Sequence, residues 1–367
     1  MNATTARDKI LSAVVMAERV VGKKESLPVL SCILLETAQN RLLVRSTNLE
    51  AGIQVVVPAD VQEEGIIAIP ASIFSQTLRS LMGDKVQLQL EAGNLRIKSR
   101  GSSTLIKAVP HTEFPVVTDT TDHKDRMRVS RTLFLQGLQS VSYAASSSMI
   151  RPELGSVYVS FAEGTLTTVA TDSFRLAEKV IQKAAEDGEV EVLIPLKHVT
   201  ELVHVLEKID DEQVFLGARE SQLVISTDML EFVSRIVDAS FPNYKEIIPK
   251  KYTTEATIVR GDLLDALRKA RVFSGTEQRV GLHLYPKKKV FDITAQSAQI
   301  GEMSDSVDAA LEGEDIDIHF HIGYVADCLP HVEADSVLMG FSGPGRPLVM
   351  RGTNDTSFTY LVMPLNR

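Results

Sequence analysis

The sequence predicts an α+β protein made of three tandem copies of one helix–strands–helix–strands unit. Two observations carry this expectation. An alternating apolar strand that ends in a small polar corner occurs three times, at Leu43-Val44-Arg45-Ser46-Thr47-Asn48-Leu49-Glu50, at Val169-Ala170-Thr171-Asp172-Ser173-Phe174-Arg175-Leu176, and at Phe291-Asp292-Ile293-Thr294-Ala295-Gln296-Ser297-Ala298. A second helix in each copy opens at near-constant spacing: Ile69-Pro70 and Ile194-Pro195 stand 125 residues apart, and Ile322-Gly323 follows 128 later. A fixed period of this kind signals repeat architecture.

The elements follow in order. Residues 7–21 place Ile10, Leu11, Val14, Val15, Val20 and Val21 on one side, the pattern of an amphipathic helix. Strands are expected over 30–35 and 42–57. Ile69-Pro70-Ala71 then leads into a helix over 72–81, with proline near the start, where its missing N–H costs little. Strands over 86–90, 95–99 and 105–109 lead to Pro110 and Phe114-Pro115-Val116-Val117. The polar stretch 118–124 reads as a linker. The second copy has a helix over 130–146, strands over 156–161 and 166–170, a helix over 196–206, strands over 214–216, 223–226 and 232–237, and then Phe241-Pro242-Asn243-Tyr244. The third has a helix over 260–274, strands over 282–285, 290–294 and 316–320, a short helix over 323–329 stopped by Pro330, and strands over 337–341, 348–351 and 358–365. The expected domains are 1–122, 126–252 and 254–367.

Composition bounds the function. The 367 residues exceed one ordinary core and suit two or three domains. Apolar content of 44% and charged content of 24% are those of a globular protein. No apolar run approaches the roughly 20 residues of a membrane helix, and the N-terminus passes into an amphipathic segment without a signal-type apolar core. Cys32 and Cys328 lie far apart in apolar surroundings and read as buried thiols. The expected compartment is the cytoplasm.

Four motifs in order, Thr171-Asp172-x-x-Arg175-Leu176, Phe241-Pro242-x-Tyr244, Ile300-Gly301-Glu302 and Val362-Met363-Pro364-Leu365, resemble those of the bacterial DNA polymerase III β sliding clamps, and the resemblance covers the whole chain. It implies three DNA-clamp domains, each with two helices on an inner face and antiparallel sheets outside. Two protomers head to tail would then form a ring around duplex DNA. The resemblance further implies a processivity role, with the polymerase III catalytic subunit, an ATP-driven clamp loader and other proteins bearing clamp-binding peptides as partners, and no cofactor. Where the family usually has Gly-His before Arg-Leu, this chain has Ser173-Phe174. Glu246 stands where a basic residue is common, Leu154-Gly155-Ser156 replaces a Leu-Asn-Gly pattern, and Val280-Gly281-Leu282 replaces Val-Arg-Leu.

Carried over by position, the partner-peptide pocket comprises Leu154, Thr171, Ser173, Phe174, Arg175, Leu176, Pro242, Ile247, Leu361, Met363, Pro364 and Leu365. An apolar tail so close to a chain end, where chains usually fray, points the same way, and methionine adapts to ligands of different shape. The DNA-contact positions are Lys24, Arg79, Arg151, Lys197 and Arg279. The protomer contact would join the edge at Leu105 and Ile106 to Val272 and Phe273, because an uncovered edge strand is an aggregation hazard that pairing removes.

Charge agrees with a ring. The chain carries 39 basic and 48 acidic residues, net −9, yet the six helical windows hold ten basic and six acidic. Phosphate attraction is independent of sequence, so a few basic residues on those helices suffice for sliding. No phosphate loop, nucleophile elbow, zinc-protease motif or Cys-x-x-Cys occurs. Asp315, Asp317, His319 and His321 alternate onto one strand face, a metal-capable pattern that a half-exposed strand also produces. No metal is expected, and no catalysis. The competing reading is a repeat-built adaptor that binds proteins without encircling DNA.

Overall fold

The computed structural model describes residues 1–22, 27–115, 126–186, 188–219 and 221–365. The linker expected over 118–124, together with Val116, Val117 and Lys24, lies outside them. Six α-helices appear among the described residues: α1 (Arg7–Val20), α2 (Ala71–Ser80), α3 (Arg131–Val141), α4 (Leu196–Leu206), α5 (Arg260–Phe273) and α6 (Ile322–Asp327). Each expected helix is present. The third is shorter than its periodicity suggests, because Ser142–Ala144 tightens into a 3-10 turn.

Several strands escape the sequence pattern. Asn2–Ala6, Met127–Ser130 and Thr254–Val259 run directly into the first helix of each repeat. Asn2–Ala6 is too short and too rich in threonine and alanine to show an apolar alternation. It nonetheless pairs antiparallel with both Ala51–Glu63 and Lys85–Glu91. Tertiary pairing decides where local propensity is weak.

The described residues sort into two compact units, 1–135 with 184–238, and 136–183 with 239–367. In the first unit one antiparallel sheet of twelve strands runs from its edge Ser102–Ile106 through Asn94–Ser99, Lys85–Glu91, Asn2–Ala6 and Ala51–Glu63 to Leu230–Arg235, Gln222–Ser226, Gln213–Arg219 and Met127–Ser130. The pairing of 51–55 with 230–234 joins the first repeat to half of the second. In the second unit the pairing of 175–179 with 358–362 joins the other half to the third. A four-stranded sheet there has Gly301–Ser306 at one edge and Ile316–His321 at the other. The second repeat is thus divided because each of its halves completes a neighbour's sheet.

Five of the helices begin without side-chain caps, on backbone that is extended or close to it, and α3 has only a long contact of 3.5 Å from the Leu133 amide to Ser130 Oγ. Their ends are instead tied in pairs. The first residue of α1, α3 and α5 is an arginine whose amide donates to a carbonyl beyond the second helix: Arg7 to Asp84 (2.8 Å), Arg131 to Glu212 (3.0 Å) and Arg260 to Asp335 (2.8 Å). The guanidiniums of Arg7 and Arg131 then cap that second helix, and that of Arg260 caps the 3-10 turn Leu329–His331 that follows α6. Arg7 reaches the Leu78 carbonyl, Arg131 the Leu206 and Asp211 carbonyls, and Arg260 the Val332 carbonyl at 2.8 Å. A cation over the last carbonyls of a helix satisfies orphan acceptors and opposes the negative end of its dipole.

Close packing also dictates residue size. Gly137 of α3 lies so near the sheet that a Cβ there would sit 2.8 Å from Leu166 Cδ2, and Thr168 Oγ1 donates to its carbonyl. On α4, His198 and Glu201 are buried. His198 Nδ1 meets Ser234 Oγ at 2.8 Å, and that hydroxyl donates to the Arg235 carbonyl, so Nδ1 carries the proton. Glu201 Oε2 has no hydrogen-bond partner, and burial pushes this carboxyl up from 4.5 to about 7, against the pull of Lys197. A carboxyl raised in the folded state favours folding while protonated and loses that advantage as pH rises through its folded value. Glu201→Gln should therefore match the parent near pH 4 and exceed its stability above pH 7 by up to about 3 kcal/mol. Urea unfolding at the two pH values checks this, and an equal difference at both would exclude it.

Candidate functional site

The densest group of expected site residues lies in the second unit, on the hairpin joining strands Thr165–Thr171 and Arg175–Ile181. Its corner is built from side-chain-to-backbone bonds. Thr171 Oγ1 donates to the Arg175 carbonyl at 2.6 Å and accepts from the Ser173 amide. Asp172 Oδ1 accepts from the amides of Phe174 (2.9 Å) and Arg175 (3.0 Å). These bonds hold Ser173 at φ 78°, a left-handed conformation that a non-glycine residue adopts only when its surroundings impose it. The result is a rigid corner that presents Phe174 outward, 61% exposed.

Strand register assigns the neighbours to faces. Leu176 lies opposite both Thr171 and Leu361, and Val349 opposite Leu361, so these four share a face. The Met363 amide donates to the Phe174 carbonyl at 2.7 Å, extending that row to the chain's tail. Val169, Leu176, Tyr244, Val349 and Leu361 form a buried apolar floor, with Tyr158, Phe241, Ile248 and Tyr252 packed against it. Phe174, Ile247 and Met363 stay exposed. Met149 and Ile150, on the loop before the buried Leu154, are exposed as well. Pro242, Pro364 and Leu365 are half-buried, and Ser173 is exposed. The Leu365 amide is fixed to the His319 carbonyl. Phe241 and Tyr158 stack at 5.2 Å, and the Tyr244 hydroxyl donates to Glu178 at 2.5 Å, anchoring the segment that carries Pro242 and Ile247.

Arg175 departs from its expected place in the pocket lining. The two-residue period turns it to the sheet face opposite Leu176. There its guanidinium bonds Asp172 Oδ2 (3.1 Å) and Asp327 Oδ2 (2.6 Å) and covers the Tyr324 ring at 4.5 Å. It braces the corner from behind and ties it to the end of α6. Asp172 and Asp327, Tyr158, Phe241, Tyr244 and Val349 are the residues that the expected lining omitted. The motif Phe241-Pro242-x-Tyr244 signalled two of the omissions by their aromatic character, but Tyr158, Val349 and Asp327 have only a spatial connection to it.

Of the DNA-contact positions, Arg79 on α2, Arg151 and Lys197 on α4 are exposed and Arg279 is half-buried. Each of the three exposed residues has an acidic neighbour: Glu18 at 3.7 Å, Glu153 at 2.8 Å and Glu201 at 3.9 Å respectively. Ion pairs of exposed arginines contribute roughly 0–1 kcal/mol, so a phosphate can replace the partners of Arg79 and Arg151 at little cost, whereas the partner of Lys197 is the buried Glu201. Three of the ten basic residues in the helical windows, Arg7, Arg131 and Arg260, are engaged as helix caps; they add to the field but do not reach outward. Lys9, Arg19 and Arg271 are exposed on the first helices and were not singled out.

At the expected protomer contact, Leu105 is 41% and Val272 63% exposed, and Phe273 is half-buried. Ile106 is buried in the core of its own unit, because alternation along the strand turns it inward. A cavity of about 540 Å³ opens beside Val272, lined also by Gly275, Gln278, Ser297 and Ile300. Both cysteines are free and buried, and no helix among the described residues is long and apolar enough to cross a membrane.

Comparison with known proteins agrees with this geometry. Family models of the DNA polymerase III β subunit match the chain in order: the N-terminal domain over residues 1–118, the central domain over 128–243 and the C-terminal domain over 245–366. The chain is 28% identical to the β sliding clamp of Vibrio cholerae over 371 residues, covering 100% of both proteins. The DNA polymerase III β subunit of Thermotoga maritima superimposes with a TM-score of 0.94 at 26% identity, covering 100% of this chain and 99% of that one. The sliding clamp of Bacillus subtilis shares the fold at a TM-score of 0.92 and 23% identity, with 100% and 99% covered. Three domain matches in sequence, spanning nearly the whole chain, place it in the family of DNA polymerase III β subunits, the bacterial sliding clamps.

Proposed function

We propose that two copies of this chain close head to tail into a ring that encircles duplex DNA without sequence preference and tethers the replicative polymerase. The domains are assigned to 1–122, 126–252 and 254–367, and the place of action to the cytoplasm. The protein performs no chemistry of its own; a clamp loader opens and closes it. The observation that carries the tethering role is the apolar row Phe174–Met363–Ile247 standing exposed over a buried floor, on a corner whose backbone is fixed by Asp172. A short apolar peptide laid there meets a surface already in its binding shape, so little ordering cost opposes the contact. Polymerase, loader and other clamp-binding proteins would share this docking row in turn.

Closure is supported by two unpaired sheet edges. Ser102–Ile106 lies beside the exposed bases Lys98, Arg100 and Lys107. Gly301–Ser306 carries Glu302 and Asp305. Pairing one edge with the other across a protomer boundary would satisfy both rows of backbone groups, bring opposite charges together and cover Leu105 and Val272.

Two tests follow. Loaded onto nicked circular DNA by a clamp loader with ATP, the protein should stay bound until the circle is cut and then be lost. Phe174→Ala with Met363→Ala should release the polymerase and, because the loader shares the row, lower loading as well, while the dimer seen by sedimentation velocity stays intact. Binding indifferent to the cut would favour a surface-bound adaptor. In sedimentation velocity, Val272→Glu should convert the dimer to monomer, whereas an unchanged dimer would place the interface elsewhere.

A further inference from the structure

The four-stranded sheet of the second unit carries a cluster that neither the docking row nor the DNA face uses. On its polar face, His283 of strand Arg279–Tyr285 lies directly across from Asp317 on one side and Asp292 on the other. Gly281 lies across from His319 and Thr294 in the same way. The two histidines are therefore diagonal neighbours with Gly281 between them, their rings edge to face at 6.0 Å.

Gly281 leaves a gap that three polar atoms surround. A Cβ built there would sit 2.5 Å from Thr294 Oγ1, 2.7 Å from His283 Nε2 and 3.3 Å from His319 Nε2. Both imidazoles thus direct the same nitrogen at one point. The tautomer of His283 follows from its partners. Nδ1 meets Asp317 Oδ1 at 2.6 Å, and the Tyr285 hydroxyl donates to the same oxygen at 2.7 Å. An ionised carboxylate only accepts, so Nδ1 carries the proton and Nε2 presents its lone pair, at present to the Thr294 hydroxyl at 2.9 Å.

A carboxylate that fixes one imidazole nitrogen while the other faces a shared gap is the arrangement by which proteins orient histidine ligands. Among the described residues no three His, Cys, Asp or Glu side chains converge on one point, so the site is a two-imidazole one with coordination positions left for solvent. We propose that His283 and His319 bind a borderline divalent transition ion, Zn²⁺ in the first instance, over Gly281, with Asp317 orienting His283. Imidazole donors select such ions over Mg²⁺ and Ca²⁺, which prefer oxygen. Any side chain at position 281 would occupy the gap, which is why glycine there matters.

Titration of the full chain with Zn²⁺ by calorimetry tests this. One ion per chain is expected, in saturable binding that imidazole donors favour for Zn²⁺ over Mg²⁺. His283→Ala and His319→Ala should each abolish saturable binding. Asp317→Asn should weaken it about tenfold, and Gly281→Arg should block it without removing a ligand. Cu²⁺ bound at the same site should show two imidazole nitrogens by electron paramagnetic resonance, a readout independent of any stability change in the variants. No stoichiometric Zn²⁺, or binding unaltered in the double-histidine variant, would overturn the proposal.

Discussion

The arrangement of each repeat depends on one contact: an arginine at the first residue of one helix that closes the last turn of the other or, in the third repeat, the 3-10 turn that follows it. Arg7, Arg131 and Arg260 repeat the device with different backbone acceptors and the same outcome. Helices of 14, 10 or 11 residues are marginal in isolation. The carbonyls at their ends would be left unsatisfied wherever packing excludes water. Linking the start of one helix to the end of its neighbour satisfies both and fixes their relative position, so the outward surface of the pair has a defined shape. The remaining basic side chains on that surface are then displayed by a stiff support.

The second constraint is that sheets do not stop at repeat boundaries. Strand Ala51–Glu63 continues into Leu230–Arg235, and strand Arg175–Ile181 into Phe358–Val362. Continuity of this kind removes two edges that would otherwise be open. It also places the polar corner of one repeat against the strand end of the next. That is why the docking row combines residues as distant in sequence as Phe174 and Met363.

How much of this was legible varies with the physical signal. The period of the chain and the six helices follow from local patterns, which apolar spacing records, whereas the row Phe174, Ile247 and Met363 was reached only through the resemblance to the sliding clamps. Asn2–Ala6 has too little apolar content to announce a strand; its partners on both sides define it. Arg175 stood inside a motif that marks the pocket, yet a motif does not encode which sheet face a residue takes. A one-residue shift reverses the face, and Asp327, which holds the guanidinium, is 152 positions away. Ile106 illustrates the same limit on a single strand. The capping arginines were read as surface charge because their acceptors, carbonyls of residues about 70 to 80 positions later, have no side-chain signature.

The first repeat shows why only one copy of a shared corner suits the proposed docking role. Thr47 Oγ1 donates to the Ala51 carbonyl, Asn48 Oδ1 accepts from the amides of Glu50 and Ala51, and Leu49 holds φ 76°, reproducing the corner at Thr171–Asp172–Ser173 bond for bond. The Arg235 amide donates to the Glu50 carbonyl as Met363 does to Phe174. The backbone scaffold is therefore duplicated, and the side chains decide what it offers. Glu50 occupies the place of Phe174 and Arg235 that of Met363, so the first corner presents charges whose desolvation would oppose an apolar peptide. In the second copy both positions are apolar. On the proposed function, docking would reside in two side chains on a corner that the fold builds in either case.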